Sequence, residues 1–185
     1  MKFLRFFIII FISLTTSIKA DLYKNLINQL EDGGKLIFIR HAYAPGNGDP
    51  AGFNLNDCST QRNLSDDGRK QAQRIGEFFT KNKIEIDKVL SSEWCRCKET
   101  AKIAFKNYST NSFLNSFYSS KFSKNKDKQV KAFNHYIKNL EIEKNLIFVT
   151  HYVFISEVLN YGPLSGEIVV SDKKFNIIGS LEIDF

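Results

Sequence analysis

Two unbroken apolar runs, Leu36-Ile37-Phe38-Ile39 and Leu146-Ile147-Phe148-Val149, constrain this chain more than any other feature. Each has the length of a strand, and neither alternates with polar residues. Each therefore predicts a strand covered on both faces. Strands of that kind belong to largely parallel sheets with helices on either side. Both runs also end in histidine, as Arg40-His41 and Thr150-His151. Ligands of open α/β sheets bind beyond the carboxyl ends of the strands, so two histidines delivered to that edge predict a site there.

The intervening segments read mostly as helices. Asp21 to Asp32 predicts a short helix with Leu22, Leu26, Ile27 and Leu30 on one side, ended by Gly33-Gly34. Ala44 to Thr60, rich in Gly, Pro, Asn and Asp, is a loop. Ser65 is a suitable N-cap, and Asp66 and Asp67 fall in the first turn, where the helix dipole favours negative charge. Ala72, Ile75, Phe78 and Phe79 give that helix its apolar face. A short strand Val89 to Ser91 leads into a helix from about Arg96 to Phe105. A polar stretch follows, and then a helix from about Asp127 with Val130, Phe133, Ile137 and Leu140 in register. A helix through Phe154 and Leu159 follows the second histidine. Glu167 to Val170 and Phe175 to Phe185 form a closing strand pair. The fold class is α/β: a three-layer α/β/α sandwich with a mostly parallel central sheet.

Residues 1–20 are of another kind. Lys2 and Arg5 accompany an apolar run from Phe3 to Leu14, and Ile18-Lys19-Ala20 closes the segment. A positive start, a short apolar stretch and a small final residue describe a secretory signal peptide. The alternative is an uncleaved N-terminal anchor. The expected division is a signal peptide over 1–20 and one domain over 21–185, with a periplasmic or secreted location and no membrane span after cleavage. Loss of Lys2, Arg5 and Lys19 lowers the formal charge from +6 to +3, and nothing in that balance requires nucleic acid. Lys121, Lys124, Lys126, Lys128 and Lys131 form a basic run that reads as a solvated face. Cys58, Cys95 and Cys97 fit no zinc spacing. In an oxidising compartment one disulfide is expected, joining Cys58 to Cys95 or to Cys97.

The strand Val89 to Ser91 continues through Glu93, Trp94 and Cys95 to Arg96 at a helix start. Arginine offers paired donors to phosphate oxygens, and a helix N-terminus adds backbone N–H groups. A neutral imidazole can attack phosphorus when its other nitrogen donates to a carbonyl. At these residues the chain resembles the histidine phosphatase superfamily, also called phosphoglycerate mutase-like. Arg40-His41-Ala42 is similar to its Arg-His-Gly motif. Leu64-Ser65-Asp66-Asp67-Gly68-Arg69-Lys70-Gln71-Ala72 matches the family's next helix. Ser92-Glu93-Trp94-Cys95-Arg96 with Thr100-Ala101, and Thr150-His151, complete the set in the family's order, from Lys35 to about Ser171.

The resemblance implies a phosphomonoesterase acting on a small phosphorylated substrate through a phosphohistidine intermediate. His41 would be the nucleophile, and Arg40, Arg96 and His151 would hold the phosphoryl oxygens. Asn47 would touch the phosphate. No metal or organic cofactor is implied. Export and small size resemble envelope members acting on sugar phosphates. Two departures concern the proton donor. Where many members carry a Glu, this chain reads Phe113-Leu114-Asn115-Ser116-Phe117. Where another branch carries an Asp, it reads His151-Tyr152-Val153-Phe154. Glu93 is the candidate acid, with Asp49 and Asp57 on loops within reach. The competing expectation is a phosphate-ligand-binding module of the same fold with weak catalysis.

Overall fold

A computed structural model describes residues 21–184. The segment read as a signal peptide lies outside the described residues. Residues 21–31 are helical (α1) and end at Gly33 and Gly34, whose φ values of 72° and 69° turn the chain into the first strand. Leu26 and Leu30 are buried, but Leu22, expected on the same face, is exposed because it lies a full turn before the sheet contact.

The first apolar run is β1 (Leu36–Arg40) and the second is β4 (Asn145–Thr150). They are adjacent and parallel, with Arg40 paired to Thr150. β2 (Ile86–Ser91) lies parallel on the far side of β4, and β3 (Ser109–Thr110) extends that edge. β5 (Ile168–Ser171) pairs antiparallel with β1, and β6 (Ile177–Leu181) pairs antiparallel with β5. The sheet order is β3-β2-β4-β1-β5-β6.

Successive side chains of a strand point to opposite faces, and the two central strands divide accordingly. Ile37, Ile39, Ile147 and Val149 pack on one side with α1, α2 (Asp66–Lys81) and α3 (Cys95–Phe105). Leu36, Phe38, Leu146 and Phe148 pack on the other with α5 (Lys126–Lys138) and α6 (Tyr152–Leu159). A one-turn helix, α4 (Ser120–Ser123), precedes α5. Both faces are thus covered, which is why these strands carry no polar alternation. Ser65 caps α2 by accepting from the Gly68 N–H, as its position implied.

Among the described residues, no helix is long and apolar enough to cross a membrane. Cys58 is bonded to Cys95, and Cys97 is a buried free thiol. The disulfide ties the long loop after β1 to the first turn of α3.

Candidate active site

Parallel pairing brings the two histidines together. The His41 N–H donates to the Thr150 carbonyl (2.9 Å), which continues the β1–β4 ladder one residue past β1. The two rings then lie with centroids 5.6 Å apart, nearly perpendicular. β2 ends beside them, where the Ser92 N–H donates to the Val149 carbonyl (2.9 Å), and the chain turns directly into α3. Arg96 occupies the first turn of that helix and is almost fully buried.

A cavity of about 370 Å³ opens over this edge. Arg40, His41, Arg96 and His151 all face it, and Asn47 lines it from the loop after β1. Glu93 does not line it: its carboxylate accepts from the Asn115 amide (2.5 Å). Asp57 is exposed and caps a short 3-10 turn. Two wall residues were not singled out as phosphate ligands from sequence. Arg62 faces the cavity while its Nε donates to the Gly48 carbonyl (2.7 Å) and Nη1 to the Ala44 carbonyl. Its signal was a cation two residues before the Leu64-Ser65 helix start. Asp49 is the other, and it holds Arg96 at 2.7 Å with both side chains nearly buried.

The His41 ring is held in one tautomer. Its Nδ1–H donates to the Ala42 carbonyl (2.9 Å), which leaves the Nε2 lone pair unprotonated. Burial, reinforced by the positive Arg96, holds its pKa well below the usual imidazole range. Burial, again with Arg96, does the same at His151. Arg96 can only donate, so Nδ1 of His151 at 3.5 Å must carry the lone pair, and Nε2–H donates to Ser92 Oγ (2.8 Å). Ser92 Oγ donates onward to Asn115 Oδ1 (3.1 Å), so the chain Glu93–Asn115–Ser92 orients His151. Arg40 donates Nη1 to the Pro163 carbonyl (3.0 Å) and lies over the Tyr152 ring, with its Nε buried and unpartnered.

The sequence motif beyond these groups fixes backbone. Thr100 Oγ1 accepts from the Ala42 N–H (3.0 Å) and donates to the Arg96 carbonyl (2.7 Å), which couples the loop after β1 to the arginine helix. Gln71 Oε1 accepts from the Tyr43 N–H (2.9 Å), while its amide nitrogen donates to the carbonyls of Ser165 and Ile183. Gly68 lies so close to the Tyr43 carbonyl that a Cβ would collide with it. Trp94 is a buried wall, packed edge-on against His151 and Phe122 and tilted against Phe53.

A family model described as "Histidine phosphatase superfamily (branch 1)" matches residues 36–113, from β1 through the arginine helix. Over those residues the chain is similar to the histidine phosphatase superfamily. Solved structures agree with this fold. Phosphoglycerate mutase from Thermus thermophilus is 17% identical, with a TM-score of 0.57 over 81% of this chain and 99% of that one. TTHB049 from the same organism is 17% identical, with a TM-score of 0.55 over 80% and 98%. The Rv3214 product of Mycobacterium tuberculosis is 15% identical, with a TM-score of 0.53 over 74% and 89%. At these identities the likeness is one of fold. No curated protein matches the chain by sequence. The superfamily includes phosphatases and mutases, and this chain carries a phosphoglycerate mutase-like sheet with its two histidines just past the ends of neighbouring strands.

Proposed function

We propose that the protein is an exported phosphomonoesterase that transfers the substrate's phosphoryl group to His41 and then to water. The observation carrying this reading is the His41 tautomer. Its Nδ1–H is committed to a carbonyl, its Nε2 is free, and burial keeps the ring neutral beside Arg96. In this reading Nε2 attacks phosphorus as the ester P–O bond breaks. Arg40 and Arg96, with Asn47 from the loop, take the phosphoryl oxygens; Arg62 adds a further cation to the wall, and His151, its Nε2–H engaged by Ser92, backs Arg96 through Nδ1. In this reading these groups stabilise the charge that develops on the phosphoryl oxygens in the transition state.

Among the described residues of the wall, Arg40, Arg62, Arg96 and Lys121 outnumber the single carboxylate, Asp49, which favours an anionic substrate. Tyr118 and Tyr152 stand exposed at the cavity, offering ring faces to the sugar of an envelope sugar phosphate. The Cys58–Cys95 disulfide supports a periplasmic or secreted location.

Hydrolysis of p-nitrophenyl phosphate tests the reading. Wild-type protein turns it over, chelators leave the rate unchanged, and His41→Ala loses at least about 1,000-fold, as expected when a covalent nucleophile is removed. Equal rates for wild type and His41→Ala contradict it. A phosphate-binding module without turnover is the second reading, favoured by the filled donors of Arg96. That reading requires Arg96-dependent phosphate binding with no product released.

A further inference from the structure

The phosphatase reading leaves the leaving-group oxygen without a proton donor at either position where the superfamily resemblance would place one. The cavity wall itself supplies a candidate. Of the described residues lining it, Asp49 is the single carboxylate.

Asp49 is held by four donors. Oδ1 accepts from Arg96 Nη1 (2.7 Å) and from the Arg62 backbone N–H (3.1 Å). Oδ2 accepts from Trp94 Nε1 (3.0 Å) and Arg96 Nη2 (3.3 Å). Arg96 is equally committed. Its remaining Nη hydrogens point to the Arg62 carbonyl (3.4 Å) and His151 Nδ1 (3.5 Å), and only Nε lacks a partner. A guanidinium has four Nη hydrogens, so none is left for a phosphoryl oxygen while Asp49 stays in place. The carboxylate occupies the fork that a phosphate would use.

We propose that Asp49 is the proton donor of this site, resting on Arg96 until the substrate's phosphoryl group displaces it. The proposal rests on the phosphatase reading. A phosphoryl group brings up to two negative charges to a fork that Asp49 fills with one, and arginine pairs with phosphate bidentately. Gly48 and Gly52, at φ 66° and 77°, bracket Asp49 and are the points where this loop can change course. Once displaced, the carboxylate loses four stabilising donors and lies beside a phosphate. There it takes up a proton from solvent.

The steps then balance. His41 Nε2 forms a bond to phosphorus as the P–O bond to the leaving group breaks, and Asp49 gives its proton to that oxygen. Water attacks the phosphohistidine, passing a proton to the Asp49 carboxylate as the N–P bond breaks. Inorganic phosphate leaves, the proton returns to solvent, and Asp49 closes again on Arg96.

Two measurements test this. The first compares 2,4-dinitrophenyl phosphate, whose leaving group needs no proton, with glycerol phosphate, whose alkoxide does. In Asp49→Asn the ratio of kcat for glycerol phosphate to kcat for the dinitrophenyl ester falls by about 100-fold or more, the scale of general-acid catalysis. Turnover of the dinitrophenyl ester by the variant shows that it is folded. The second uses Trp94, the single tryptophan of the chain, whose indole N–H reports Asp49. Inorganic phosphate gives a saturable change in its emission in wild type. In Asp49→Ala calorimetry shows phosphate binding tightened roughly tenfold, about the worth of one displaced charge-assisted contact. An unchanged ester ratio, with wild type active on both esters, overturns the donor role alone. Weaker phosphate binding in Asp49→Ala, or equal loss on both esters by a variant that still binds phosphate, overturns it too and makes Asp49 a positioning residue for Arg96. Wild type inert toward both esters removes the phosphatase reading and the donor role with it.

Discussion

His41 owes its reactive tautomer to one backbone oxygen, and its charge state to burial. Both active-site histidines are nearly inaccessible and held well below the ordinary imidazole pKa, by burial first and Arg96 second. The folded protein therefore keeps both rings neutral where the unfolded chain protonates them, below pH 6.5. Stability is complete above that value and falls as the pH drops below it, with each histidine contributing up to about 1.4 kcal/mol per pH unit. Urea midpoints measured between pH 7.5 and 5.5 should show this decline, and His41→Asn should shallow it; an identical decline in the variant contradicts the assignment. Because the nucleophile stays neutral, kcat should also show no fall centred near pH 6.5. Arg40, His41, Arg96 and His151 were legible in the sequence because each lies within a residue or two of the end of a strand or the start of a helix. Arg62 and Asp49 were less so. Asp49 read only as a loop carboxylate within reach, since its pairing with Arg96 depends on how residues 41–65 fold back over the sheet.

At the scale of elements, the motif letters that do not touch the cavity join one element to the next. Thr100 in α3 satisfies the Ala42 N–H, and Gln71 in α2 satisfies Tyr43, so two helices grip the two residues that follow His41. Thr100→Val removes the acceptor from a buried N–H while conserving shape. The expected cost is about 1–3 kcal/mol in a chemical melt, accompanied by a lower kcat as His41 loosens. A kcat unchanged alongside lost stability would separate the two helices' structural role from the site. Gly68→Ala drives a methyl group into the Tyr43 carbonyl, and Gly76→Ala drives one into the Ala104 carbonyl where α2 meets α3. Both should destabilise by about 1–3 kcal/mol, but only Gly68→Ala sits against the nucleophile loop and should reduce turnover beyond its effect on stability. Sequence pattern located β1, β4 and α2 closely, because continuous burial and an N-cap with first-turn acids are local signals. It left α4 and β3 unassigned, since elements of four and two residues are held by neighbours rather than by any periodicity.

Across the whole molecule, the sheet order sets β1 beside β4 and places β2 next to them, so residues far apart in sequence reach one rim. The disulfide acts at the same scale, since Cys58 anchors the loop that carries Asp49 to the helix that carries Arg96. Sequence left its partner open between Cys95 and Cys97. The sheet decides it, because Cys97 is turned into the core against the Thr150 carbonyl and His151. Closing a loop of this span stabilises by about 4 kcal/mol on the chain-entropy account. Cys58→Ser, or reduction, should therefore lower the melting temperature by several degrees and raise KM for a phosphate ester. An unaltered melt after verified reduction would show that the loop holds its place by other contacts.

The central claim is that His41 carries the phosphoryl group. Rapid quenching during turnover of p-nitrophenyl phosphate, followed by peptide mapping under alkaline conditions, measures it directly. The predicted result is an acid-labile phosphate on the peptide containing His41, present in wild type and absent from His41→Ala. Turnover with phosphate on no residue, or on one other than His41, contradicts the account.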